Sequence, residues 1–305
     1  MSQTELCEDY SALKLNLKGH KKPVTGLCFD PDGKQFASSS EDHTIMIWNS
    51  AQNIRSYSFL GHSDIVTAVE YSPNGKLVAS CSQDQTVRIW VPTVKGVSTD
   101  FRAHTSAIRT LAFSPDSNKI VTGANDKSIK LWNVARKQFL TSFVGHNNWV
   151  RSVKFSHDGS TIVSCSDDQT VRVWDATSGQ SVHVFKTSKG SPTCVSLHKN
   201  DNSVAVAMSS GSVRVYDVRM KKLQQHYVLH DNTTSTCWHP HANFLLSSGK
   251  DGKLIVVDVM EGRPLYTIGG HEGAVNCVRF SQDGEYFASG GSDRHVMVWK
   301  TNFVK

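Results

Sequence analysis

A histidine recurs along this chain at a spacing that leaves few architectures open. His20, His62, His104 and His146 stand 42 residues apart, His230 falls two periods later, and His271 follows after another 41. An aromatic residue keeps the same register at Trp48, Trp90, Trp132, Trp174, Tyr216 and Trp299, and an Asp precedes most of them at Asp42, Asp84, Asp126, Asp168, Asp251 and Asp293. Self-similarity at this period belongs to chains built of stacked supersecondary units, none of which can bury its apolar face alone. Each unit reads as four short strands. In the second, the expected strands are residues 65–71, 77–82, 86–90 and 97–102, separated by a turn at 72–75, a turn at Gln83 and Asp84, and a loop through Pro92 and Gly96. β-Branched runs between turn residues, with no helical stretch interrupting them, argue for an all-β fold and against βαβ units.

Seven such units imply a seven-bladed β-propeller, a single domain over residues 11–305 after a polar segment at residues 1–10. The Gly-His opening and Trp-Asp close resemble the WD40 repeat. The last unit ends at its third strand, while an apolar-alternating run at residues 13–17 precedes the first Gly-His. Placing that run as the outer strand of the last blade, beside residues 296–299, pairs otherwise open edges and closes the ring.

Five units carry four polar residues at constant offsets, with Ser or Thr 18, Asp 22 and Trp 28 residues after the His. They are His20, Ser38, Asp42 and Trp48; His62, Ser80, Asp84 and Trp90; His104, Thr122, Asp126 and Trp132; His146, Ser164, Asp168 and Trp174; and His271, Ser289, Asp293 and Trp299. WD40 blades link such groups in a hydrogen-bonded chain, which favours folding only when every member is paired. The same His-Asp arrangement in five blades is therefore read as structural, since five identical catalytic or metal sites in one chain make no chemical sense. The fifth unit lacks the set altogether, with Ser188, Val206, Ser210 and Tyr216 in its places, and is expected to be either the loosest blade or one braced by its neighbours. The sixth keeps His230, Ser247 and Asp251 but has Val257 in place of Trp, and it is one residue short before Trp238.

Composition narrows the function classes. No apolar run approaches the length of a membrane-spanning helix, and the acidic, polar start MSQTELCEDY lacks the apolar core of a secretory signal, so a cytoplasmic protein is expected. The seven cysteines include no C-x-x-C pair, and six fall in expected strands, which suggests reduced core thiols. A net charge of +6 is too modest to argue for nucleic acid. With no phosphate-cradling glycine loop, nucleophile elbow or metalloprotease helix in the sequence, a non-enzymatic chain without cofactor or metal is expected.

Three sets of residues are candidates for binding. Positions three and five after each His are expected to flank the central opening, and there Arg109, Trp149 and Arg151 form an aromatic anchor between two planar cations, suited to an acidic or phosphorylated peptide. The competing reading pairs these arginines locally with Asp167 or Glu41. The shortened sixth unit leaves its own position-five residue open between Thr234 and Ser235. On the opposite face, turns carrying Lys34, Lys76, Lys95, Lys119, Arg136, Lys137, Arg219, Lys221 and Lys222 suggest a basic underside able to meet an acidic polymer such as tubulin. Arg88, Lys130, Arg172 and Arg214 share one side of consecutive third strands and are expected to lie across their blades.

Several stretches are similar to one family, the proteome-of-centriole WD40 proteins. They are VRIWVP at 87–92, FRAHTSAIRT at 101–110, GHNNWVRSVKFS at 145–156, VSCSDDQTVRVWD at 163–175, KLQQHY at 222–227 and FASGGSDRHVMVWKTNF at 287–303. That resemblance implies a scaffold of centrioles and basal bodies that supports centriole integrity and cilium assembly, with centriolar proteins and tubulin as partners and neither nucleic acid nor membrane. It also implies a linker and a short helical segment beyond Lys305. The alternative is a peptide-reading adaptor, such as a ubiquitin-ligase substrate receptor or a histone reader.

Overall fold

Alternating apolar positions in short runs can only be buried on both faces if sheets stack against one another, and the chain does this seven times. The computed structural model describes residues 12–50, 56–95, 97–241 and 243–302; the segment 1–10, Cys7, Gly96 and the last three residues lie outside that description. The described residues form 28 strands in seven antiparallel four-stranded sheets, the blades of a propeller. The fourth blade runs Val150–Phe155, Thr161–Ser166, Thr170–Asp175 and Ser181–Lys186 from the channel outward. No helix among the described residues is long and apolar enough to cross a membrane.

Leu13–Lys18 pairs antiparallel with His295–Lys300, so the chain's first described strand is the outer strand of the last blade. Leu13, Leu15 and Leu17 pack inward, and the Lys14 ammonium sits 3.9 Å from the centre of the Tyr286 ring. The strand bounds in the second blade are tighter than expected: Val66–Tyr71, Val78–Ser82 and Ser98–Arg102. Leu77 is drawn out of its strand because it closes the turn, its carbonyl accepting from Ser72 N and its N–H donating to Ser72 Oγ.

The core consists of seven apolar clusters, each shared by two adjacent blades. Between the first and second blades, for instance, Ile45, Ile47 and Phe59 meet Val66, Val69, Val78 and Trp90. Stability is thus distributed around the ring, each blade covering its neighbour's face. Six cysteines lie in strands as free thiols; burial and the nearby Glu70 carboxylate push the Cys28 thiol up to about 11, and burial pushes Cys81 to about 12.

The fifth blade is not the loosest. Val204, Val206, Met208, Val213 and Val215 are fully buried, and Phe185 packs on Tyr216 with ring centroids 4.7 Å apart. Val206 stands where the polar set elsewhere has Ser or Thr, Met208 stands where Ser40, Ser82 and Ser166 stand in other blades, and Arg214 Nη2 reaches Ser188 O at 2.5 Å. A neighbour also braces it, since Trp238 Nε1 of the sixth blade donates to Ser196 O at 3.2 Å.

Every first strand carries a β-bulge at its second residue. The residues skipped in pairing are Thr25, Thr67, Arg109, Arg151, Thr193, Thr234 and Asn276. A bulge re-aims the extra side chain out of the pleat, and here it turns one residue per blade toward the channel. The shortened sixth blade contributes Thr234; Ser235 has returned to the ladder opposite Ser248.

Candidate functional site

The seven bulge residues line the mouth of one central cavity. Five of them tie blade to blade. Thr25 Oγ1 donates to Val66 O at 2.5 Å, Thr67 Oγ1 to Ile108 O at 2.8 Å, Thr193 Oγ1 to Thr233 O at 2.9 Å and Thr234 Oγ1 to Val275 O at 2.5 Å. Asn276 Nδ2 donates to Val24 O at 2.8 Å across the closure between last and first blades. Arg109 and Arg151 depart from this pattern, because a guanidinium is too long for the short lateral bond. Each bends along its own blade to the residue preceding the turn Asp. Arg109 Nε donates to Asn125 Oδ1 at 2.9 Å; Arg151 Nε donates to both Asp167 oxygens at 2.8 Å, with Arg151 Nη2 2.6 Å from Asp167 Oδ2.

Trp149 stands between them, its ring centre 5.6 Å from Arg109 Cζ and 5.3 Å from Arg151 Cζ. It is 41% exposed, so an apolar surface remains open to a partner. The three residues expected to cluster do so, and the local pairing weighed against recognition is also real for Arg151. Glu41 pairs with neither arginine. Burial, followed by the like charge of Arg151, lowers the Arg109 pKa. Arg109 has no ion pair among the described residues and carries the cluster's uncompensated charge.

On the same face lie the polar chains. In the fourth blade Trp174 Nε1 donates to Ser164 Oγ at 2.8 Å, Ser164 lies 2.8 Å from His146 Nε2, and His146 Nδ1 lies 2.8 Å from Asp168. A carboxylate can only accept, so the Nδ1 nitrogen holds the imidazole proton and the Ser hydroxyl donates to Nε2. The sets of His20, His62, His104 and His271 repeat this geometry, and the histidine side chains have at most 1% exposure. In the sixth blade Ser247 Oγ donates to Ile255 O at 3.3 Å, with no Trp to serve. Burial works to raise Asp84, Asp126 and Asp168, but hydrogen bonds from His and from Thr86, Ser128 or Thr170 outweigh it and hold these carboxyls well below the usual range. Such groups are locked into turns and fully engaged, which suits structure and not catalysis.

The other face is of mixed charge. Arg136, Arg219 and Lys221 are exposed and Lys137 partly so, in the turns between third and fourth strands, and exposed Lys222 opens the fourth strand of the fifth blade. The turns of this face also carry Asp32, Asp116, Asp158, Asp217, Asp258, Glu261 and Asp283, and Lys34 lies 4.0 Å from Asp32. The cations there alternate with carboxylates. The third-strand set is engaged within its blades: Arg88 and Arg172 lie over Trp90 and Trp174 at 5.9 and 5.7 Å, Lys130 Nζ donates to Ala103 O, and Arg214 Nη2 donates to Ser188 O.

Below the bulge ring the sequence reading missed a second tier, three positions further along each first strand. There Lys154 of the fourth blade forms an ion pair with Glu70 of the second, and Arg279 of the seventh lines the same cavity. Tabulating that position across the units would have exposed three charges on a channel wall.

Comparison with known proteins fits this geometry. Residues 65–203 match a family described as the WDR90 fourth β-propeller, and residues 11–49, 220–258 and 262–300 match the WD domain, G-β repeat. Among curated relatives, cilia- and flagella-associated protein 52 of Macaca fascicularis is 27% identical over 118 residues, 38% of this chain and 21% of that protein. Serine-threonine kinase receptor-associated protein of Homo sapiens is 43% identical over 67 residues, 22% of this chain and 19% of that protein. The matched region spans about a fifth of these relatives' length.

Proposed function

This chain is a WD40-repeat β-propeller, and from that premise we propose that it is a non-enzymatic interaction scaffold that works at centrioles and basal bodies. The observation that carries the reading is Trp149, held open between two guanidinium groups at the channel mouth. An aromatic ring braced by Arg, central on one face, is the make-up of an interface anchor. Arg109 supplies one unpaired positive charge beside it, so the partner segment is acidic. Likeness to a cilia- and flagella-associated protein supports the ciliary setting. Tubulin on the opposite face is the weaker proposal, because the carboxylates there dilute the attraction.

A tagged chain expressed in dividing, ciliated cells tests the setting. Signal at centrioles and at the base of cilia agrees with it; a diffuse or nuclear signal favours the adaptor reading, in which the same Arg-Trp-Arg site reads a short peptide elsewhere.

A further inference from the structure

The central channel holds more positive charge than its own carboxylates neutralise. Its wall includes Arg109, Arg151, Lys154 and Arg279 against the single carboxylate of Glu70. Asp167 takes Arg151, and Glu70 takes Lys154 while also accepting from Phe113 N at 3.3 Å. Arg279 is left with one hydrogen bond among the described residues, Nη1 to Val278 O at 3.0 Å. Arg279 is part-buried in the channel wall, and Glu70, the one carboxylate of that wall, acts on it while already paired with Lys154, so the channel keeps an excess of positive charge that an anion would offset. The cavity measures about 140 Å³, enough for several waters or one small oxyanion, and the hydroxyls of Thr110 and Ser152 line it as further donors.

We propose that this channel is a binding site for a small phosphate-type oxyanion, held by the free N–H groups of Arg279, with Lys154 beside it and Arg109 at the mouth. The fork of a guanidinium matches two oxygens of such an anion. A thiol on the same wall reports the field: burial acts to raise Cys194, yet Arg279, hydrogen bonds from its neighbours and Lys154 bring it below its ordinary value. The anion arrives either free in solution or as a phosphoryl group on a partner segment entering past Trp149; both present the same chemistry to Arg279.

Inorganic phosphate titrated at constant ionic strength, followed by thermal shift and calorimetry, tests this on the whole chain. Wild type is expected to show a saturable rise in melting temperature. Arg279→Met should weaken binding about tenfold or more, the loss of a charge-assisted hydrogen bond, while the unliganded variant melts no lower than wild type. Arg279→Lys should keep part of the affinity. Lys154→Met provides a second route should Arg279→Met fail to fold, since it frees Glu70 to take Arg279 and so weakens phosphate as well. A phosphoserine peptide that binds with the same dependence on Arg279, where free phosphate does not, identifies a partner-borne anion. Absence of saturable binding by either probe, or equal binding by wild type and both Met variants, overturns the proposal.

Discussion

Replacing Asp168 with alanine removes the acceptor at the end of the fourth blade's polar chain. Asp168 accepts from His146 Nδ1 at 2.8 Å, Asn147 N at 3.0 Å, Thr170 N at 2.9 Å and Thr170 Oγ1 at 2.6 Å. The His146 side chain has no solvent exposure, so its stranded N–H cannot find water. A buried donor left unpaired costs about 1–3 kcal/mol, and the turn donors, which water can reach, add less, for a total of about 2–4 kcal/mol. At roughly 2 °C per kcal/mol in a domain of this size, the melting temperature should fall by about 4–8 °C. The position-matched Ser210→Ala in the fifth blade removes one 3.2 Å contact with Ser212 and should cost about 0.5 kcal/mol or less. Urea unfolding followed by tryptophan fluorescence measures both variants. His146→Phe with Asp168→Ala should cost less than the sum of the single changes, because the stranded donor is gone. Equal losses at Asp168 and Ser210, or strict additivity of the pair, would refute the reasoning that the chain acts as one buried unit.

Two further outcomes follow from the same geometry. Deleting residues 1–18 strips the outer strand from the last blade, removes the three leucines packed there and exposes the apolar side chains they cover, a loss of at least about 3 kcal/mol read by calorimetry; an unchanged melting temperature contradicts the closure. Stability should fall on acidification in two stages. Burial, only partly opposed by their Asp partners, lowers the folded-state pKa of His20 and His271, so the unfolded chain binds protons first and stability declines below about pH 6.5. The depressed carboxyls of Asp84, Asp126 and Asp168 contribute stability that is complete above the unfolded value of about 4 and is lost as pH falls below it. Urea midpoints from pH 8 to pH 3 check the order; a midpoint that rises toward acid contradicts it.

The seven blades and their closure were legible because the signals are local and repeated: a His, a turn and a Trp at fixed offsets need no knowledge of distant contacts. The cluster at Arg109, Trp149 and Arg151 was legible for the same reason, since adjacent blades bring equal offsets together. Of the two outcomes expected for the fifth blade, bracing by a neighbour is the one observed; its lost polar chain and Val206 are visible in sequence, whereas the Trp238–Ser196 bond joins two blades and is not. The turn of the fifth blade shows the compensation. The residue after each turn Asp has positive φ, as at His43, Gln85, Lys127, Gln169 and Arg294; where Asp is missing, Gly211 takes that place at φ 81°. Glycine adopts this conformation without a cap from Asp, and a Cβ on Gly211 would fall 1.8 Å from His230 O. The pairing of Glu70 with Lys154 was hidden because it spans a channel between blades that are not neighbours, a contact no period encodes.

Recruitment of folded surface variants to centrioles measures the central claim most directly. One variant carries Arg109→Gln, Trp149→Ala and Arg151→Gln; the other replaces Arg136, Lys137, Lys221 and Lys222 with Gln. Tagged signal at centrioles, normalised to expression, is compared with wild type after circular dichroism establishes that both are folded. The account predicts that the first variant loses most of its signal, chiefly through faster exchange after photobleaching, because an anchored aromatic contact governs dissociation. The second should keep most of its own. Full recruitment of the Arg-Trp-Arg variant would contradict the account.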